Sequence, residues 1–200
     1  MRLSKTISVI LHPIFMPMIA LYLSLKFVPN IGFAITNYLN FIYLILAFST
    51  IILPLMSILF LIKKKQVTSL EMSNYKERSI PLFITAIWMC YGYYKLGDIL
   101  VFSPVLKSEL IGAISIIFIA SVISKYWKIS LHMLGIGGIV GVLFSLNILF
   151  GGLLQIIILF VLLAGVLGVA RINEKAHNHA QIYTGFLVGF FIEAAGILFF

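Results

Sequence analysis

The chain has 200 residues, of which 62% are hydrophobic and only 10% are charged, and its mean hydropathy is +1.16. This composition excludes a soluble domain, because too few polar residues are present to cover its surface. The formal net charge of +8 does not require nucleic acid, because loop lysines that fix topology and meet anionic lipid explain it in a membrane chain. We therefore expect an integral membrane protein whose partner is the lipid bilayer.

Apolar runs that are long enough to cross ~30 Å of hydrocarbon as helices recur along the whole chain. The first run differs from a cleavable signal, because Pro13 and Pro17 interrupt it and no small-residue cleavage site follows. We predict one all-α domain over residues 1–200, a polytopic transmembrane helix bundle with about seven spans. The predicted spans are 7–28, 38–62, 80–96, 108–124, 130–149, 153–170 and 181–200.

The third and fourth spans are the shortest, and they carry Lys95 and Glu109 near their ends. A six-span arrangement, in which part of 80–124 lies in the membrane interface, is the alternative. The single cysteine, Cys90, excludes an intrachain disulfide and indicates nothing about the redox compartment.

The seven-span arrangement separates the cationic residues sharply. Only Lys26, Lys95 and Lys107 fall on one face. The other face carries the remaining eleven of the 14 Lys and Arg residues, namely Arg2, Lys5, Lys63, Lys64, Lys65, Lys76, Arg78, Lys125, Lys128, Arg171 and Lys175. By the positive-inside rule this basic face is cytoplasmic, and we expect the protein to lie in a bacterial inner membrane.

Three polar segments fall on the basic face although they are far apart in sequence. They are residues 71–81 before the third span, 128–132 before the fifth span and 171–181 before the seventh span. A phosphate needs several fixed donors, and the planar arginine fork can bind two of its oxygens at once. Histidine is the usual nucleophile or acid near neutral pH. The three segments together therefore favour phosphoryl chemistry on an amphiphile.

The order of these segments resembles the type 2 phosphatidic acid phosphatase (PAP2) superfamily over about residues 71–185. That family has the motifs Lys-(x6)-Arg-Pro, Pro-Ser-Gly-His and Ser-Arg-(x5)-His-(x3)-Asp. Arg171 and His177 match the third motif with its spacing, and Ser130 and His132 match the second, with Ile129 and Leu131 at the proline and glycine positions. Arg78 aligns with the first motif, in which Glu71 replaces the lysine and the proline is displaced to Pro81.

The resemblance implies a PAP2-like core and a role for each matching residue. Arg78 and Arg171 would bind the phosphate oxygens, and Ser130 would add a donor. His177 would attack phosphorus to form a phosphohistidine, and His132 would protonate the leaving alcohol. The substrate would be a membrane lipid phosphate or an isoprenoid diphosphate, and the reaction needs no metal and no cofactor.

The sequence departs from the family pattern at two positions. Gln181 stands where the family has the aspartate that orients the nucleophilic histidine; a glutamine amide can fix the tautomer but cannot neutralise an imidazolium. The lysine of the first motif is missing, and either Lys128 or Lys76 could replace it. We favour Lys128, because it lies one helical turn before His132.

Other interpretations of these residues remain. The charged segments are also typical of topology anchors, and His132 of a histidine bonded to a backbone carbonyl. A catalytically inactive relative that binds phospholipid or a protein partner is the main alternative function. A small transporter that uses Glu193 and His12 as a proton pathway is a further one. Glycines in the fifth and seventh spans, such as Gly137 and Gly189, predict close packing of these two spans.

Overall fold

α-Helices make up most of the chain in the computed structural model, which describes residues 2–33, 35–70, 72 and 74–199. The helices are α1 (Arg2–Ile10), α2 (Met16–Phe27), α3 (Pro29–Phe33), α4 (Leu39–Ala47), α5 (Leu53–Lys63), α6 (Ser79–Leu100), α7 (Pro104–Ile123), α8 (Leu131–Phe150), α9 (Leu154–Asn173) and α10 (His179–Phe199). The predicted all-α class is therefore confirmed for this part of the chain.

Six stretches are long and apolar enough to cross a membrane, judged by length and composition over the described residues. They are Leu3–Phe27, Thr36–Lys63, Pro104–Ile123, Leu131–Phe150, Leu154–Asn173 and His179–Phe199. These stretches are those of an integral membrane protein, as predicted. The predicted third span is also a helix, α6, and with 22 residues it is as long as its neighbours. Its lysine, aspartate and tyrosines make it the least apolar of the long helices.

The first two spans are each interrupted at a proline. Between α1 and α2 the chain forms a 3-10 turn, Pro13–Phe15, which His12 caps by accepting the Ile14 N–H at its Nδ1 atom. A five-residue π-helical turn, Phe48–Ile52, separates α4 from α5, just before Pro54. Proline causes such breaks because it lacks an N–H and its ring crowds the preceding turn.

Helix α8 is the centre of the bundle, with 12 of its 20 residues buried, a larger share than in any other long helix. Its most extensive packing is against α10, along a seam of glycines. A Cβ on Gly137 would overlap the Phe186 carbonyl oxygen, and a Cβ on Gly189 would overlap that of Leu134. The predicted close approach of the fifth and seventh spans is therefore confirmed. It brings the beginning of α8 next to the beginning of α10.

Candidate functional site

The three polar segments predicted to share a site meet at one end of the bundle. Arg78 ends a 3-10 turn, Tyr75–Arg78, immediately before α6, while Lys128 lies in the connection from α7 to α8. Arg171 lies in the last turn of α9. The three cationic groups are close enough to act electrostatically on one another and on His177, which lies between α9 and α10. We call these four residues the basic cluster.

His177 is buried, and Gln181 fixes its orientation. The Gln181 Oε1 atom lies 3.0 Å from His177 Nδ1 and also accepts the backbone N–H of Asn178 at 3.3 Å. Because a backbone N–H can only donate, this oxygen is an acceptor, and Nδ1 must carry the proton. The Nε2 atom therefore bears the lone pair. Asn178 Oδ1 accepts the Gln181 N–H at 3.0 Å, which ties the loop to the start of α10.

Burial and the neighbouring positive charges keep His177 neutral. Burial is the main cause that lowers the pKa of the His177 imidazole, from 6.5 to about 4. The positive charges of Arg78, Arg171 and Lys128 lower it further, whereas the hydrogen bond to Gln181 acts in the opposite direction. At neutral pH this side chain is therefore an uncharged imidazole with an available nitrogen lone pair, which is the reactive form of a histidine nucleophile.

The lowered pKa values of Arg78 and Lys128 indicate that several positive charges lie close together in the basic cluster. Burial and then the charge of Arg171 lower the pKa of the Arg78 guanidinium. Burial and then the charges of Arg78 and Arg171 lower the pKa of the Lys128 ammonium. Arg78 is buried and donates from Nε to the Met72 carbonyl at 2.9 Å, which fixes the plane of its fork. Such a concentration of charge is favourable for binding an anion.

Arg171 is held by two residues that the sequence reasoning missed. Its Nη1 atom donates to Glu174 Oε2 at 2.6 Å and to Ser8 Oγ at 3.1 Å, and the Ser8 hydroxyl donates to the same Glu174 oxygen at 3.2 Å. An i,i+3 arginine–glutamate pair is visible in the sequence and could have been predicted. The contribution of Ser8 could not, because it comes from α1 at the opposite end of the chain. A phosphate bound by Arg171 would therefore compete with the Glu174 carboxylate for the Arg171 guanidinium.

His132 lies at the same end of the bundle, next to two residues of the first span. Its Nε2 atom donates to the Ser8 carbonyl at 3.0 Å, and its ring is 5.4 Å from the ring of His12, edge to face. His132 also interacts electrostatically with Arg171 and His177. The bond to a backbone carbonyl is the one expected for a structural histidine. The Nδ1 atom is the one that remains available to a substrate, and it could donate a proton only from the imidazolium form.

Two further predicted positions, Ser130 and Lys76, cap a helix or lie at the surface. Ser130 caps α8 by accepting the Met133 N–H at 3.5 Å, and its side chain is 0% exposed, so a phosphate oxygen could reach it only after a local rearrangement. Lys76 is exposed and is not among the charges that act on His177. Glu71, which occupies the lysine position of the first motif, lies outside the described residues.

An apolar groove extends from the basic end of the bundle into the membrane-spanning region. His12, Met72 and Leu131 line it near the basic cluster, and Glu109 and Glu193 line it deep between the helices. Its empty volume is about 1070 Å³ when its open side is included. The rest of its wall is almost entirely hydrocarbon, from residues such as Met16, Leu82, Met89, Ile116 and Leu134. We call this feature the membrane groove.

No protein-family model matches the chain, and neither the curated proteins nor the solved structures give a match. The resemblance in motif order therefore stays a prediction based on Arg78, His132 and His177. The function has to be inferred from the geometry of the basic cluster and of the membrane groove.

Proposed function

We propose that this protein is a membrane-embedded phosphatase that hydrolyses the phosphate of an amphiphile, either a lipid phosphate or a prenyl diphosphate. One observation carries the proposal: a neutral, buried imidazole, His177, keeps its Nε2 lone pair while the nearby positive charges of Arg78, Lys128 and Arg171 act on it. A phosphate group held by these cations would place its phosphorus near that nitrogen. Positioning and charge neutralisation of this kind account for most of the catalysis in phosphoryl transfer.

The reaction would proceed in two displacement steps. In the first, the His177 Nε2 lone pair attacks the terminal phosphorus and the bond from that phosphorus to the ester or bridging oxygen breaks. The leaving group, an alcohol from a lipid phosphate or a prenyl monophosphate from a prenyl diphosphate, takes a proton from the His132 imidazolium. In the second, neutral His132 takes a proton from water, whose oxygen attacks the phosphohistidine. The P–N bond then breaks, its electron pair returns to Nε2, and inorganic phosphate leaves.

The membrane groove supports an amphiphile as the substrate. Its lining includes Met72, whose carbonyl accepts from Arg78, and Leu131, which follows Ser130 and precedes His132. A hydrocarbon chain entering there would bury apolar surface at about 25 cal/mol per Å², while its phosphate remained at the basic cluster. A free, water-soluble phosphate ester would gain nothing from this wall.

Phosphate release from purified protein tests the proposal, with a short-chain phosphatidic acid and a prenyl diphosphate as substrates. We expect His177→Ala to lower the rate by more than about 10³-fold, because it removes the nucleophile. His179→Ala is the matched control: His179 is in the same loop but is exposed and stacks on Tyr183. Full release from His177→Ala, or equal losses in both variants, would exclude the proposal.

Lys128 is the proposed replacement for the lysine that the first motif lacks. Its ammonium group acts on His177, whereas Lys125, in the same connection, is exposed and is not among the charges acting on His177. We expect Lys128→Ala to weaken binding of a phosphate ester about tenfold and Lys125→Ala to leave it unchanged. Unchanged binding in Lys128→Ala would exclude this role.

A second candidate function is binding of phospholipid without turnover. It is favoured by the bond between Arg171 and Glu174, which neutralises part of the basic cluster, and by the amide at Gln181. A binder would release no phosphate from a broad panel of lipid phosphates. It would still bind them saturably, and Arg78→Ala would abolish that binding.

We also infer that α6 crosses the membrane, which gives seven spans with the basic cluster on the cytoplasmic side. The start of α6 at Arg78 and the end of α7 before Lys128 are both at the basic cluster, as expected if α6 leaves that face and α7 returns to it. A cysteine at Asn178, introduced after replacement of Cys90, tests the orientation. Labelling by an impermeant maleimide from the periplasmic side alone would overturn it.

A further inference from the structure

The deep end of the membrane groove contains two buried carboxyl groups, Glu109 on α7 and Glu193 on α10. Each is only 4% exposed, each lines the groove, and the two are close enough to interact electrostatically. Glu193 follows Gln181 by twelve residues, which is ~18 Å along a helix, so this pair is far from the basic cluster. The proposed phosphatase chemistry makes no use of it.

The two carboxyl groups have few partners. The Ser24 hydroxyl donates to Glu109 Oε2 at 2.9 Å, while Glu193 Oε2 is buried and makes no hydrogen bond to any described residue. Within the described part of the chain, the one ion pair is between Arg171 and Glu174, at the basic end. No lysine or arginine side chain that the structure describes therefore compensates Glu109 or Glu193.

The surroundings determine what could compensate this pair. A buried carboxylate is costly unless a proton or a cation neutralises it. A calcium ion would need six to eight oxygen ligands around one point, whereas polar side chains are a small part of this wall. The remaining wall offers hydrocarbon contacts. The two carboxyl groups can supply negative charge and the wall supplies apolar surface. A cation that is itself hydrophobic suits both.

We propose that the deep end of the membrane groove is a binding site for a hydrophobic organic cation, such as an alkylammonium or arylphosphonium ion. Glu193 supplies the counter-charge, Glu109 and Ser24 complete the polar end of the site, and the apolar wall takes the hydrocarbon groups. When the pair is protonated in the empty groove, the incoming cation displaces a proton to solvent. The groove then remains neutral in both states.

Equilibrium binding of tetraphenylphosphonium to the purified protein in lipid nanodiscs tests this proposal. We expect saturable binding that Glu193→Gln weakens at least tenfold and Glu109→Gln weakens less, because the Ser24 hydroxyl can still bond to the amide. Glu77→Gln is the matched control, since Glu77 bonds to Thr68 outside the groove. Neutral triphenylphosphine oxide, which has a similar shape, should not compete. Equal affinity of wild type and Glu193→Gln, or competition by the neutral compound, would overturn the proposal.

A steric variant protects the test against misfolding of the carboxyl variants. Ala113 lines the groove, and Ala113→Phe would fill it while both carboxyl groups remain. We expect this variant to lose tetraphenylphosphonium binding; retained affinity would contradict the assignment to the groove. The assay contains no phosphate ester, so its outcome is independent of the proposed phosphatase activity.

Proton displacement provides a second readout. The heat of tetraphenylphosphonium binding should vary with the ionisation enthalpy of the buffer, and the affinity should fall as the pH is lowered. The other titratable groups near this site are Tyr43, which interacts with Glu109, and His12, at the other end of the groove. The buffer dependence should persist in His12→Gln and disappear in Glu193→Gln. A binding heat that does not vary with the buffer in wild type would exclude the exchange.

Discussion

The two ends of the membrane groove differ in the hydrogen-bond partners that the protein provides for their ionisable groups. At the basic end three of the four functional groups have a defined partner: His177 bonds to Gln181, Arg78 to the Met72 carbonyl, and Arg171 to Glu174. At the deep end Glu193 has a carboxyl oxygen with no hydrogen bond to the described residues. The basic end is therefore preorganised by the protein itself. The deep end is completed only by something that enters the groove.

The origin of the partners explains this difference. At the membrane edge, loops and helix ends supply free backbone groups and polar side chains, as Ser8 and Asn178 do. Inside a span the backbone is already bonded within its helix, and neighbouring side chains are apolar. An ionisable residue can therefore be rigidly oriented at the edge, whereas in the middle it remains available to a ligand or a proton.

The glycine seam between α8 and α10 joins the two ends. A substitution that disrupts it should therefore cause the largest loss of stability. Gly189→Ala would place a Cβ against the Leu134 carbonyl and should destabilise the folded protein by about 3 kcal/mol or more. Gly165→Ala is the control, because a Cβ there meets nothing within 4 Å. Unfolding in SDS or by heat measures both variants. Equal stability of the two would show that the seam does not fix the helix spacing.

Acid should destabilise the basic end through His177. Its pKa is about 4 in the folded protein against 6.5 as the ordinary value, so between these pH values the unfolded chain binds more protons. The stabilising contribution is complete above pH 6.5 and is lost as the pH falls through 4. We expect a loss of at most about 2 kcal/mol after solvent screening. The stability difference between wild type and His177→Gln should follow this window, and a difference that stays constant between pH 6.5 and 4 would contradict the expectation.

The partner difference itself can be tested by removing one carboxyl group at each end. Glu193→Met removes a buried carboxyl oxygen that lacks a hydrogen bond, and it should stabilise the empty protein by about 1–2 kcal/mol. Glu174→Met removes the carboxylate that binds Arg171 and should destabilise the folded protein by a similar amount. The same unfolding assay compares them. A gain of stability in Glu193→Met together with a loss in Glu174→Met would support the difference between the two ends. A loss of stability in both variants would contradict it.

The smallest expected effect concerns a single titration. Gln181→Asp would place a carboxylate at His177 Nδ1 and should raise the pKa of His177 by about one unit, because a negative charge favours the imidazolium. NMR of histidine-labelled protein measures this shift. If turnover exists, the variant should also increase it, because the charge stabilises the imidazolium that forms. An unchanged titration would mean that the loop does not keep residue 181 against His177.

The sequence predicted much of the fold because apolar length and glycine spacing are strong signals. The six apolar spans and the contact between α8 and α10 follow from those two patterns. The grouping of Arg78, Lys128, Arg171 and His177 followed from placing the polar segments on one face. What these residues do chemically stays a prediction, because the convergence of charge is compatible with both binding and turnover.

The contacts between the first span and the rest of the bundle could not be read from the sequence. Ser8 bonds to Arg171, Glu174 and His132, yet nothing in its neighbourhood in the sequence marks it. Glu109 is predicted only as a charge near the end of a short span. The structure instead buries it beside Glu193, a pairing that depends on how α7 and α10 pack.

The π-helical turn Phe48–Ile52 determines which residues of the second span reach the groove. Thr50 lies within this turn, and Pro54 and Ile58 lie in α5 beyond it, and all three line the groove. Winding the same residues as a regular α-helix, without the π-helical turn, would rotate α5 by about 100° relative to α4. Pro54 and Ile58 would then face away from the groove, although the length and hydrophobicity of the span would hardly change. The π-helical winding thus determines which side chains of α5 reach the groove, and regular α-helical winding would absorb a deletion of one residue within the turn with little change in the groove.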